Sequence, residues 1–150
     1  MFVAFEPENG QFVALLSIEG LLSSDRDPEA VLRKAAKLYE RSTLRMKSLV
    51  AEIQAYRAER KLVPARKIWH LGDAIFELTS QLRELSLEID RLYDHLVRDL
   101  DAKRKWLEKV IIFRRCLPDK ELIPESLNWG RCEKGTRRVA ERLRDGLPPG

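Results

Sequence analysis

Ile68-Trp69-His70-Leu71-Gly72-Asp73-Ala74-Ile75-Phe76-Glu77-Leu78-Thr79-Ser80-Gln81-Leu82-Arg83-Glu84-Leu85 is the stretch that decides the fold. Ile68, Leu71, Ile75, Leu78, Leu82 and Leu85 alternate three- and four-residue spacings, and Ile89 and Leu92 continue the pattern. Such spacing draws one apolar stripe along a helix, and another helix must cover it. Pro64 opens the segment, where its missing N–H costs nothing.

A second heptad lies upstream. Asp27 is a suitable N-cap, with Pro28 at the first helical position, and nothing breaks the helix before about Lys61. Leu32, Tyr39, Met46 and Ile53 occupy one heptad position; Ala35, Ser42, Leu49 and Tyr56 occupy the other. The short break at Leu62–Ala65 favours an antiparallel pair. A helix of about 33 residues runs roughly 50 Å, whereas a chain of this length has a radius of gyration near ~15 Å. Such a helix projects from a compact monomer, which argues for a homodimer; a monomeric helical core satisfies the same heptads.

Outward from this pair, residues 2–18 read as a β-hairpin: Phe2–Phe5 and Phe12–Ile18 are rich in β-formers around the turn Glu8-Asn9-Gly10. Downstream the helices shorten to about 90–100, 103–116, 119–128 and 133–145, punctuated by Pro118 and Pro124. The expected fold is mostly all-α: a long antiparallel helical hairpin followed by a helix-turn-helix bundle, with a short N-terminal β-hairpin. The expected organisation is an arm over 1–24, a dimerisation hairpin over 25–89 and a helix-turn-helix-like DNA-binding region over 90–146.

Composition supports a folded chain: 44% apolar and 35% charged across 150 residues. The longest apolar run, Phe12–Ile18, already contains Ser17 and falls short of the ~18–20 residues that span a bilayer. No basic stretch precedes an apolar one at the N-terminus, so a cytoplasmic protein is expected, with no membrane partner. Abundant Glu and Arg beside only five Asn plus Gln lean thermophilic. Residues 1–100 carry 15 Lys+Arg against 16 Asp+Glu, while residues 101–150 carry 13 against 8. The basic character belongs to the last third, which suggests a polyanionic partner.

The segment Leu96–Ile111 concentrates that character. A helix-turn-helix needs a small or apolar residue where its helices cross, and Val97 serves. Leu100 ends the first helix. Asp101 fills the left-handed turn position that Gly prefers and Asp tolerates, and Ala102 is the small residue after it. Leu107, Val110 and Ile111 then bury against the first helix. Lys103, Arg104 and Lys105 start the second helix, with Lys109 a turn later. In this motif that end enters the major groove. Arg115 extends the surface, and Arg131, Lys134, Arg137 and Arg138 add candidate phosphate contacts. A packed helical hairpin with a solvated basic turn fits the same apolar positions.

Trp69-His70-Leu71-Gly72, then Tyr93-Asp94-His95-Leu96 leading into Asp99-Leu100, then Leu127-Asn128-Trp129, give residues 66–142 a resemblance. They resemble the helical N-terminal domain of the YhcG-type family of prokaryotic nucleases. The resemblance implies DNA binding and self-association. That family's restriction-type nuclease domain has no counterpart within these 150 residues, so no catalytic residue carries over.

No reaction is expected, and neither a cofactor, a metal nor a small-molecule substrate. His70 and His95 lie 25 residues apart without a further ligand at metal spacing. Cys116 and Cys132 lack the CxxC pairing of a zinc site and read as ordinary thiols, bonded only if their Cα atoms approach within ~7 Å. Glu84, Glu88 and Asp94 read as an exposed helix face. Trp129-Gly130-Arg131-Cys132-Glu133-Lys134-Gly135 reads as a helix break that packs Trp129 in the core, or as a loop against DNA backbone. Two functions follow: a dimeric DNA-binding protein, such as a regulator or defence-system component, or a helical protein-interaction module without nucleic-acid binding.

Overall fold

The computed structural model describes residues 2–5, 13–17, 28–85 and 87–150, and is mostly helical. Helix α1 spans Pro28–Ala58 and α2 spans Ala65–Glu84. Pro28 is the first residue of α1, and the cap expected at Asp27 lies outside the described residues. Arg60 ends the helix in a left-handed conformation (φ 58°). The Lys61 N–H then donates to the Tyr56 carbonyl and the Arg60 N–H to the Arg57 carbonyl. This is a Schellman closure, with Arg where Gly is usual.

The two helices pack along each other. Tyr39, Met46 and Ile53 of α1 are buried, as the first heptad position requires. At the second position Ala35 is buried as read, but further along the seam shifts by one residue: Thr43 and Val50 are buried, while Ser42, Leu49 and Tyr56 are only partly covered. Thr43 is accommodated because its hydroxyl donates back to the Tyr39 carbonyl, at 2.9 Å. Exposed ion pairs Arg45–Glu77 and Lys67–Glu52, each 2.8 Å, border the seam. Exposed pairs contribute about 0–1 kcal/mol each, so the apolar seam dominates.

The heptad of α2 does not run on to Leu92. The helix stops at Glu84, and Leu87–Asp90 is a strand. Leu87 and Ile89 are buried and Glu88 between them is exposed, which is the two-residue period of a pleated strand. Ile89 therefore satisfies both patterns, and its β-branch suits the strand. The strand backbone pairs antiparallel with Val13–Ser17. The turn expected at Glu8-Asn9-Gly10 lies outside the described residues.

Helix α3 spans Leu92–Leu100 and covers part of α1. The Tyr39 hydroxyl donates to the Asp99 carboxylate, and the Arg98 guanidinium donates to the same group at 2.9 Å. The long helix is thus covered by α2 and α3 of its own chain, and its length alone does not call for a partner. Burial pushes the Asp99 carboxyl up, but the bonds from Arg98 and Tyr39 outweigh it and hold it below the ordinary carboxylate value. A depressed folded-state pKa stabilises above the unfolded pKa and is lost as pH falls through the folded one. Asp99→Asn should therefore flatten the acid limb of a urea-stability profile against pH; an unchanged limb would remove this contribution.

Helix α4 spans Arg104–Cys116, α5 Gly130–Glu133 and α6 Thr136–Arg144. The helix expected at 119–128 is only a 3-10 turn at Lys120–Leu122, because Pro118 and Pro124 deny it length. Its remainder makes a turn in which the Leu127 N–H donates to the Pro124 carbonyl at 3.0 Å, and then docks on the start of α2. Ala65 N–H donates to the Leu127 carbonyl at 2.9 Å, and Trp129 N–H to the Val63 carbonyl at 2.7 Å. The apolar interior is continuous from Val31 to Leu143. No helix among the described residues is long and apolar enough to cross a membrane.

Candidate nucleic-acid interface

The approach of α2 to α4 sets where the basic helix sits. Gly72 is the closest point: a Cβ there would lie 2.7 Å from Arg114 Cβ and 2.9 Å from the Val110 carbonyl oxygen. One turn away the Trp69 indole donates to the Leu117 carbonyl at 2.6 Å. Arg114 is drawn inward to Asp73 at 2.9 Å and lies 4.3 Å from the Phe76 ring centroid and 5.1 Å from that of Trp69. Sequence reading missed this structural cation. The signal was Asp73 on a helix whose other face is apolar, but only the tertiary crossing pairs the two.

The α3–α4 connection is tight. Asp101 is left-handed (φ 50°, ψ 47°), as its turn position asks. Ala102 N–H donates to the Val97 carbonyl at 3.2 Å and Asp101 N–H to the Arg98 carbonyl at 3.4 Å, the same closure as at Arg60. A left-handed non-glycine residue costs about 1–2 kcal/mol, and Gly offsets part of that gain with chain entropy. Asp101→Gly should raise stability by about 0.5–1 kcal/mol in urea titration; a loss would contradict the assigned turn.

Leu100, Leu107, Val110 and Ile111 are buried, while Val97, Ala102 and Trp106 are partly covered. The expectation that α4 buries its apolar residues against α3 needs correction. Most of its packing is against α2 and α6, with less on α3, because Gly72 admits α2 so closely.

The cations divide into two groups. Lys103, Lys105 and Arg115 are exposed and Lys109 is half-buried. At ~100° per residue, Lys105 and Lys109 share one row of α4, and Arg104, Glu108 and Arg115 share the adjacent row. Arg104 points elsewhere: its guanidinium donates to Asp94 on α3 and lies 3.4 Å from Glu108. Its charge is largely answered within the protein, which weakens the role expected for it. Arg131, Lys134, Arg137 and Arg138 are exposed. The Arg131 guanidinium is held by the Gly150 carbonyl at 2.7 Å, and α6, which carries Arg137 and Arg138, packs against α4.

The remaining candidates have structural roles. Trp129 is buried and meets Phe113 edge-on at 5.4 Å between centroids, the core position of its two readings. Cys116 and Cys132 are free thiols. Burial pushes the Cys132 thiol up to about 11, which leaves it protonated and a poor nucleophile at neutral pH. His70 is held below its ordinary value, first by burial and then by Lys120.

No family model, no curated protein and no solved structure matches the chain.

Proposed function

We propose that this protein binds double-stranded DNA through α4, presented by a helix-turn-helix that α3 and α4 form. The observation that carries this reading is the set Lys103, Lys105, Lys109 and Arg115. Among the described residues none of the four is in an ion pair, whereas Arg104 and Arg114 beside them are. Cations left unanswered along α4 and at its N-cap are available to phosphates and guanine edges. Lys134, Arg137 and Arg138 would add phosphate contacts from the neighbouring α5–α6 segment. The charge difference between the two parts of the chain supports the same reading.

Self-association belongs to this proposal, as does a closed N-terminal hairpin. Support for self-association comes from Leu44 and Leu62, which are 62% and 72% exposed, and not from the length of α1. Those two leucines also favour the second reading, a helical protein-interaction module without nucleic-acid binding. Duplex binding measured against salt separates the two, since only phosphate contacts release counterions. Within the first reading, Arg104→Ala should change duplex affinity less than Lys105→Ala does. The reverse order would mean that Arg104 leaves Asp94 to contact DNA.

A further inference from the structure

A cavity of about 370 Å³ lies where the end of α2, the strand Leu87–Asp90 and the start of α3 meet. That volume is at the small end of the ~300–1,000 Å³ typical of ligand pockets. Leu82, Leu87, Ile89 and Leu92 give it an apolar lining, and all four are at least partly buried. Arg83, Arg91 and Arg104 also line it, together with the carboxylates Glu88 and Asp94. Asp94 is already engaged by Arg104. Among the described residues neither Arg83 nor Arg91 is in an ion pair, and both are exposed. Among the described residues three guanidiniums against two carboxylates leave a net charge of +1 around a hollow whose lining is part apolar and part polar.

We propose that this cavity binds a small organic monoanion, an aryl or alkyl carboxylate whose apolar body contacts Leu82, Leu87, Ile89 and Leu92 and whose carboxylate meets Arg91 and Arg83. Guanidinium is the matching donor because its planar fork accepts a carboxylate in two parallel hydrogen bonds. A bare inorganic anion would meet the guanidiniums alone and leave the apolar part of the lining uncovered, so an organic anion is the better match. The ligand also meets the base of α4. Arg104 and Asp94 line the cavity, so an anion drawn toward Arg104 competes with Asp94 for it and alters charge on the helix proposed to read DNA. Binding at this cavity does not depend on that DNA reading.

Arg91 supplies a decisive variant. It is left-handed, at φ 53°, immediately before α3, a conformation in which Gly carries no steric penalty. Arg91→Gly therefore removes the guanidinium while relieving backbone strain. The full-length protein would be titrated with 1-anilinonaphthalene-8-sulfonate followed by fluorescence, and the bound dye displaced with 4-phenylbutyrate or with its neutral amide. The expected result is one saturable site per chain, displaced by the carboxylate at least tenfold more effectively than by the amide. Arg91→Gly and Arg83→Ala should each weaken phenylbutyrate about tenfold, the size of one charge-assisted hydrogen bond. Arg91→Gly should at the same time melt no lower than the native protein. Non-saturable dye binding, equal displacement by acid and amide, or unchanged affinity in both variants would overturn the proposal. The same titration read as duplex binding, with and without phenylbutyrate, reports the coupling to α4 separately.

Discussion

Trp129→Ala is expected to lower the unfolding free energy by about 3–5 kcal/mol, the range for removing a fully buried large aromatic side chain. Trp129 is 1% exposed and packs its ring edge against Phe113. It also sits at the junction that ties the 127–129 segment to the start of α2 through the Val63 carbonyl. Its indole N–H is buried without a hydrogen-bond partner among the described residues. Packing, and not the indole polar group, therefore holds it. Trp129→Phe should be much milder than Ala, since it keeps a ring in the cavity and removes an unpaired donor whose burial costs about 1–3 kcal/mol. Trp69→Phe provides the contrast: it deletes a made bond to the Leu117 carbonyl and leaves that carbonyl unpaired. Urea denaturation of the three variants checks the order. A Trp129→Ala loss below about 1 kcal/mol would place Trp129 outside the core.

Gly72→Val is expected to cost about 3 kcal/mol or more, and Gly72→Ala about 1–3 kcal/mol. Helix propensity pushes the other way, since Ala in a helix interior gains about 1 kcal/mol over Gly. Overlap wins because the two nearest atoms that a Cβ would meet include a backbone carbonyl oxygen at 2.9 Å, which cannot rotate away. The helices must separate, and Trp69, Arg114 and Leu117 lose their fit together. A Gly72→Ala protein more stable than the native one, measured by denaturant titration, would contradict the α2–α4 crossing. The propensity gain would then stand unopposed.

The α1–α2 pair was legible in the sequence because its signal is local: Pro28 starts one helix, Pro64 immediately precedes the other, and a three-four spacing of apolar residues marks the seam. Tyr39, Met46, Ile53 and the run from Ile68 to Leu82 all lie inside as read. The strand at Leu87–Asp90 was not legible as such, because Leu85, Ile89 and Leu92 also complete a heptad. Burial of Leu87 beside an exposed Glu88 is what separates a two-residue period from a helical one. The displacement of the second α1 seam to Thr43 and Val50 was hidden because a buried threonine reads as polar until its hydroxyl finds the Tyr39 carbonyl. At the candidate interface, the left-handed Asp101 and the exposed Lys103 and Lys105 followed from residue type and position. The capture of Arg104 by Asp94 and of Arg114 by Asp73 did not, because each pair joins two helices whose approach the sequence does not specify. Gly72 could be read as unusual in a helix, but what it makes room for is a tertiary fact.

The central claim is that the unanswered cations of α4 meet duplex DNA. The measurement that tests it most directly is the slope of log affinity against log salt, for the native protein and for a Lys103→Ala, Lys105→Ala, Lys109→Ala triple variant whose fold is checked by circular dichroism. Each phosphate contact contributes about 0.9 to the slope on B-DNA. The account predicts a native slope of about −4 to −6 from the α4, α5 and α6 cations, made shallower by about 2.7 in the triple variant. A native slope near zero, or a variant whose affinity and slope match the native protein, would contradict it.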